Sequence, residues 1–221
     1  MTMHMKKQIE KLKQKLLALS SQVEQQLWLA VKSIKDRDAE MARRVIDHDF
    51  EIDKDEVDVE EECLKILALY QPVAIDLRFI ITALKINNDL ERIGDLSVNI
   101  AERSEFLVRH EPVDEPFDFN LMAEKAQVML RDGIAALVHL DCALAHHVCR
   151  SDDEVDALNK DMYDMVKQGI LARPEQIESL IHLLSVSRHL ERIADHATNI
   201  AEDVIYMVEG RIIRHKAEEY E

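Results

Sequence analysis

Two pairs of carboxylates, Glu91 with Asp95 and Glu191 with Asp195, stand four residues apart in segments that read Leu-Glu-Arg-Ile-Gly-Asp and Leu-Glu-Arg-Ile-Ala-Asp. On a helix that spacing puts both acids on one face, with Cβ atoms about 5–6 Å apart. Asp49 with Asp53, and Asp152 with Asp156, show the same spacing upstream. If each upstream helix doubles back on the downstream one, the turns fall near Pro72 and Pro174. Asp49 is then level with Asp95 and Asp53 with Glu91, while Asp152 is level with Asp195 and Asp156 with Glu191. Each hairpin gathers four carboxylates at the end away from its turn. Hard oxygen donors in that number suit Mg²⁺, Mn²⁺, Ca²⁺ or iron, and could bridge more than one ion. Such a stripe is ordinarily a solvated acidic face. Here four acids crowd without matching bases, since Arg92 and Arg192 lie about 100° round the helix from Glu91 and Glu191. The crowding costs repulsion unless something offsets it, and it occurs twice, which favours a cation site.

The histidines serve that site poorly. His182, His189 and His196 are seven apart and form a stripe on the last helix, well round from Glu191. They read as polar flank positions or a dimer surface. His48, His146 and His147 are weaker candidate ligands near the acidic end. Catalysis finds little support. A ferritin-like di-iron oxidase needs Glu-x-x-His on two helices, and no histidine here has a glutamate three residues before it. A Gly-rich phosphate cradle or a GxSxG elbow has barely any material, with four glycines in the chain.

The elements that position the acids are helices. Ile9, Leu12, Leu16, Leu19, Val23, Leu27, Ala30 and Ile34 step by three or four. Val45, Ile52, Val59, Cys63, Ile66 and Tyr70 continue the pattern, as do Ile80, Leu84, Leu90, Ile93, Ser97, Ile100 and Leu107. Asp36 or Asp38 suits the N-cap of the second helix. Pro72 and Pro174 fall between periodic segments, and Pro112 and Pro116 bracket a linker. The near-heptad stepping predicts long helices packed side by side.

The chain repeats itself. Asp38, Ala42, Val45, Asp49, Ile52 and Asp53 return as Asp141, Ala145, Val148, Asp152, Val155 and Asp156. Asn99-Ile100-Ala101-Glu102 returns as Asn199-Ile200-Ala201-Glu202, with an offset three residues smaller. The expected fold is all-α: two tandem antiparallel three-helix bundles related by duplication. Residues 1–109 form the first, 110–118 a linker and 119–221 the second, with a connection near Pro174 three residues shorter than the one near Pro72.

Composition limits the partners. A net charge of −16 repels nucleic-acid backbones and anionic lipid, so neither is expected to be bound directly. No apolar run approaches the roughly 20 residues of a membrane span, and the charged stretch at residues 6–15 argues against a secretory leader. Cys63, Cys142 and Cys149 form no CxxC and read as core fillers in a reducing compartment.

Gln71-Pro72-Val73-Ala74-Ile75-Asp76-Leu77-Arg78, the two Glu-Arg-Ile-Gly/Ala-Asp segments and Val204-Ile205-Tyr206-Met207-Val208-Glu209-Gly210 resemble the PhoU family over almost the whole chain. The resemblance implies a cytoplasmic, non-enzymatic, usually dimeric regulator that restrains phosphate uptake and starvation signalling. It further implies contacts with the ATPase subunit of a phosphate ABC transporter and with a sensor histidine kinase, and membrane association only through such partners. Multinuclear iron or zinc is implied on a motif that falls on Glu91 and Asp95 and on Glu191 and Asp195. Ala194 departs from Gly94 by one methyl group. A metal-loaded four-carboxylate enzyme, or an accessory protein of another inorganic-ion transporter, are the alternatives.

Overall fold

A computed structural model describes residues 3–113 and 119–211. Six α-helices account for nearly all of them: α1 (Met3–Lys35), α2 (Ala39–Tyr70), α3 (Ala74–Val108), α4 (Phe119–His139), α5 (Cys142–Ala172) and α6 (Ile177–Glu209). No strand occurs among the described residues. The fold is all-α, as the periodicity requires. Most of the expected linker, residues 114–118, lies outside the described residues.

Local signals end the helices where the chain must turn. Asp38 caps α2 by accepting from the Met41 amide at 2.9 Å, and its repeat equivalent Asp141 caps α5 by accepting from the Leu144 amide at 3.0 Å. Gln71 and Gly210 close α2 and α6 in the left-handed conformation, with φ of 46° and 72°. Arg37, in the α1–α2 turn, donates from Nη2 to the Leu107 and Val108 carbonyls at 2.8 and 3.1 Å and also to that of His110. A cation there satisfies the bare end of α3.

The apolar stripes close two bundles, α1 on α2 and α3, and α4 on α5 and α6. Leu12, Leu16, Leu19 and Leu27 of α1 are buried against Ile52, Ile66, Leu90 and Ile93 in one continuous core. α3 lies along α6 and joins the bundles. Lys85 meets Asp203, Asp89 meets His196, and Phe106 meets His182, so numbers rise on α3 as they fall on α6. The two helices are antiparallel. The repeats are thus related by an approximate twofold axis that crosses their seam at the height of Gly94 and Ala194.

Three expectations need correction. The link at residues 173–176, with a 3₁₀ turn at Pro174–Gln176, is no shorter than the link at residues 71–73. The missing residues come out of the helix ends, because Pro174 cannot supply an amide and α6 starts later than α3 does. Second, α4 has 21 residues against 33 in α1, so the duplication is unequal in its first helices. Third, the histidine stripe is no exposed surface: His182, His189 and His196 are half-buried and face α3 across the seam.

The one-methyl difference at the twofold is testable. A Cβ on Gly94 would stand 3.3 Å from Ile52 Cγ2, tight enough to displace that side chain slightly, whereas Ala194 is fully buried. Ala194→Gly is expected to cost about 1.5–2 kcal/mol in urea unfolding, from lost helix propensity and a lost buried methyl group. Gly94→Ala gains propensity and loses it to crowding, so it should fall within about 0.5 kcal/mol of the parent.

A candidate carboxylate site in each repeat

Asp49 and Asp53 sit on α2, and Glu91 and Asp95 on the facing side of α3. Asp152 and Asp156 on α5 and Glu191 and Asp195 on α6 repeat the arrangement. All eight stand about halfway along their helices and not at the end away from the turn. The distance from turn to acid follows from residue number, but both helices run on well beyond the acids.

Charge effects show which acids share a space. Burial raises the Asp49 carboxyl above its ordinary value, and the charges of Asp53 and Asp95 add to the rise. Glu91 is raised by burial, then by Asp95, Glu56 and Asp53. In the second repeat Asp152 is pushed up to about 6, first by burial and then by Asp195 and Asp156. Burial, Asp195 and Asp156 raise Glu191, and burial and Asp156 raise Asp195. Each repeat therefore brings its four acids into one another's field. Like charges drawn together out of water favour the protonated forms.

The clusters are not alike. In the first repeat Arg92 bends back along α3, with Nε 3.3 Å from Glu91 Oε2 and Nη1 3.2 Å from Asp95 Oδ2. The absence of a matching base, expected from helix angle alone, fails here because a guanidinium on a long stem crosses 100° of helix surface. Arg192 makes no such ion pair among the described residues, so the second cluster is the less compensated. There Asp152 Oδ1 is enclosed, and the Thr198 hydroxyl beside the carboxyl opposes its rise without making a bond of ordinary geometry.

Two further residues belong to the first cluster. Gln26 of α1 donates from Nε2 to Asp49 Oδ1 at 3.3 Å and to the Val45 carbonyl at 3.2 Å. Glu56 of α2 accepts from Asn87 Nδ2 at 2.9 Å, and burial raises its carboxyl. Both had a signal. Gln26 interrupts the apolar stripe of α1 beside Val23 and Leu27, and Glu56 extends the Asp49–Asp53 face by one turn. Of the weaker candidates, His48 is exposed beside Asp49, His147 is exposed on α5 and His146 is half-buried. Cys63 and Cys149 are buried and Cys142 is half-buried, and none of the three is in a disulfide. Burial, then Glu62 and Glu60, pushes the Cys63 thiol up to about 12, which keeps it inert.

The donor chemistry fits a hard or borderline cation: oxygen ligands facing each other across two helices and partly dehydrated. As the side chains stand, no three His, Cys, Asp or Glu groups among the described residues converge on one point. A cation would have to draw the carboxylates inward by rotamer changes. No helix among the described residues is long and apolar enough to cross a membrane.

A family model described as the PhoU domain matches this chain twice, at residues 16–104 and 119–204. The phosphate-specific transport system accessory protein PhoU homolog of Aquifex aeolicus is 38% identical over 210 residues, covering 95% of each chain. The homolog of Clostridium acetobutylicum is 33% identical over 92% of this chain and 93% of its own. The crystal structure of PhoU from Pseudomonas aeruginosa superposes with a TM-score of 0.91 at 34% identity, covering 93% of this chain and 99% of that one. The two matched segments each contain one complete carboxylate cluster.

Proposed function

Because the chain belongs to the PhoU family, with both copies of the domain present, we propose that it is a cytoplasmic regulator of phosphate transport that acts by binding and makes or breaks no bond. The reading is that it restrains a phosphate ABC transporter by holding the ATPase subunit, and reports phosphate sufficiency by holding a sensor histidine kinase. The observation that carries it is the pair of in-register domains over nearly the full length of relatives named as accessory proteins of phosphate-specific transport. Long rods with charged flanks support this role physically, since they offer extended docking faces.

The carboxylate clusters fit the same reading as metal-held clasps. Asp49, Asp53, Glu91 and Asp95 would hold a polynuclear iron or zinc group in the first repeat, and Asp152, Asp156, Glu191 and Asp195 another in the second. Such a group would supply positive charge that cancels the repulsion and ties α2 to α3 and α5 to α6. The chain's own residues set the distance and burial of the donors. Homodimer formation through an outer helix face is part of the reading.

The test is a pull-down from phosphate-rich and phosphate-starved cells, with elemental analysis of the purified chain and measurement of uptake in a strain lacking it. The expected result is co-purification with the ATPase subunit and the kinase, and uptake that stays high in phosphate-rich medium when the chain is missing. Phosphatase or oxidase turnover by the purified protein, abolished by Glu91→Ala, would overturn it.

A further inference from the structure

The two ends of the α3–α6 seam carry opposite electrostatics. Near the start of α3 most charges are answered, although Arg78 Nε is enclosed without a hydrogen-bond partner. Lys85 Nζ is 3.0 Å from Asp203 Oδ1, His196 Nδ1 is 2.8 Å from Asp89 Oδ1, and Asn199 also donates to Asp89. The twofold carries those positions to the other end with different residues: Ser185 for Lys85, Arg103 for Asp203 and His189 for Asp89. A pair of acids has become an arginine and a histidine, with no carboxylate put in their place.

Donors accumulate there. Arg103 Nε, His182 Nδ1 and His189 Nδ1 are enclosed and have no hydrogen-bond partner. Ser185 Oγ is 3.5 Å from His189 Nε2. Phe106 stacks on His182 with ring centroids 3.7 Å apart, and on its other side His110 stacks at 3.9 Å. Arg188 is exposed on α6, and neither it nor Arg103 makes an ion pair among the described residues. The charges felt by the His182 ring agree. His182 is lowered by burial, then by Arg103 and His110, against a smaller opposing effect of Glu178. In a chain of net charge −16, a half-buried arginine with an exposed one and unpartnered ring nitrogens beside it is the reverse of the general surface. An anion resolves both the repulsion and the unmade hydrogen bonds.

We propose that this end of the seam binds a small tetrahedral oxyanion of the phosphate class, held by Arg103 and Arg188 with Ser185, His182 and His189 completing the donor set. A guanidinium presents paired N–H groups to such an ion, which makes Arg103 the anchor. The ligand has two sources, the free inorganic ion or a phosphoryl group on a partner's side chain. The site lies between the repeats and uses none of the eight clustered acids as a ligand, although Arg188 also lies in the field of Glu191. It stands apart from the regulatory reading: loss of anion binding leaves that reading intact, and failure of the pull-down leaves this site untouched.

The experiment is calorimetric titration of chelator-treated full-length protein, at constant ionic strength in chloride, with inorganic phosphate and separately with phosphoserine. The expected result is saturable binding of one equivalent of at least one of them. Preference for inorganic phosphate assigns the free ion, and preference for phosphoserine assigns a phosphorylated partner. Arg103→Gln should weaken Kd at least tenfold and Arg188→Gln about threefold or more, while Arg131→Gln, on exposed α4 surface, should leave it unchanged. Arg188 is exposed, so its variant reports on the site even if Arg103→Gln is poorly folded. No saturable binding of either ligand by the parent, or binding that survives Arg188→Gln and a folded Arg103→Gln unchanged, overturns the proposal.

Discussion

Asp152→Asn is expected to melt higher than the parent chain at pH 8 in chelator, although it removes a residue of the candidate site. The Asp152 carboxyl is pushed up to about 6 from an ordinary 3.8, by burial first and then by Asp195 and Asp156. A group raised on folding binds its proton more tightly in the native chain than in the unfolded one. Its favourable contribution is complete below pH 3.8 and is lost as pH rises through about 6. At pH 8 the ionised form therefore strains the fold. After allowance for solvent screening of a group only partly enclosed, the strain is about 1–2 kcal/mol, or roughly 2–8 °C in Tm for a chain of this size. At pH 4.5 the difference between variant and parent should shrink to about a third of that. Adding Zn²⁺ or Fe²⁺ at pH 8 should raise the parent by more than the variant, since a ligand at 100 times its Kd contributes about 2.7 kcal/mol. If the variant melts below the parent at pH 8 in chelator, the strained cluster does not exist.

Lys85→Ala should be among the most damaging single changes at the seam. Asp203 is 1% exposed, and Lys85 reaches it at 3.0 Å while passing 5.4 Å from the centroid of Tyr206. Taking away the ammonium deprives a buried carboxylate of the Lys85 counter-charge. The cost is about 2–4 kcal/mol, toward the lower part of the range for broken buried pairs because Lys85 keeps one side in water. That corresponds to a fall of roughly 5–15 °C in Tm. Lys85→Met combined with Asp203→Leu should recover most of the loss, because two apolar side chains need no pairing. Parity of Lys85→Ala with the parent in thermal melts would show that the pair does not hold the repeats together.

What could be read before the structure divides along the chain's connectivity. Contacts within a repeat follow from local rules. Asp38 stops one helix and starts another, Pro72 turns α2 onto α3, and level positions are then a matter of counting, which is why Asp49 and Asp95 share a field as expected. Contacts between repeats obey no such rule. No short loop ties α3 to α6, so the face each presents to the other is chosen by packing alone. The residues on that face misdirect as well: histidines at seven-residue spacing, with lysine and aspartate among them, look like a wet surface. Arg92 was misjudged for a different reason. Angle on a helical wheel locates a Cβ, but a guanidinium lies several bonds further out.

A hairpin of this kind standing alone would bare the whole length of its third helix and could cover it only with another copy, at whatever concentration the cell supplies. Covalent fusion holds the second copy at an effective concentration in the millimolar range or above, whatever the abundance of the chain. Fusion also lifts a restriction that closed symmetry imposes, since in a homodimer both copies must carry the same residue at each matched place. Lys85 opposite Asp203 at one end, with Ser185 opposite Arg103 at the other, is an arrangement that two identical polypeptides cannot make. Joining the halves in one gene product allowed one end to become a fastener and left the other free to diverge.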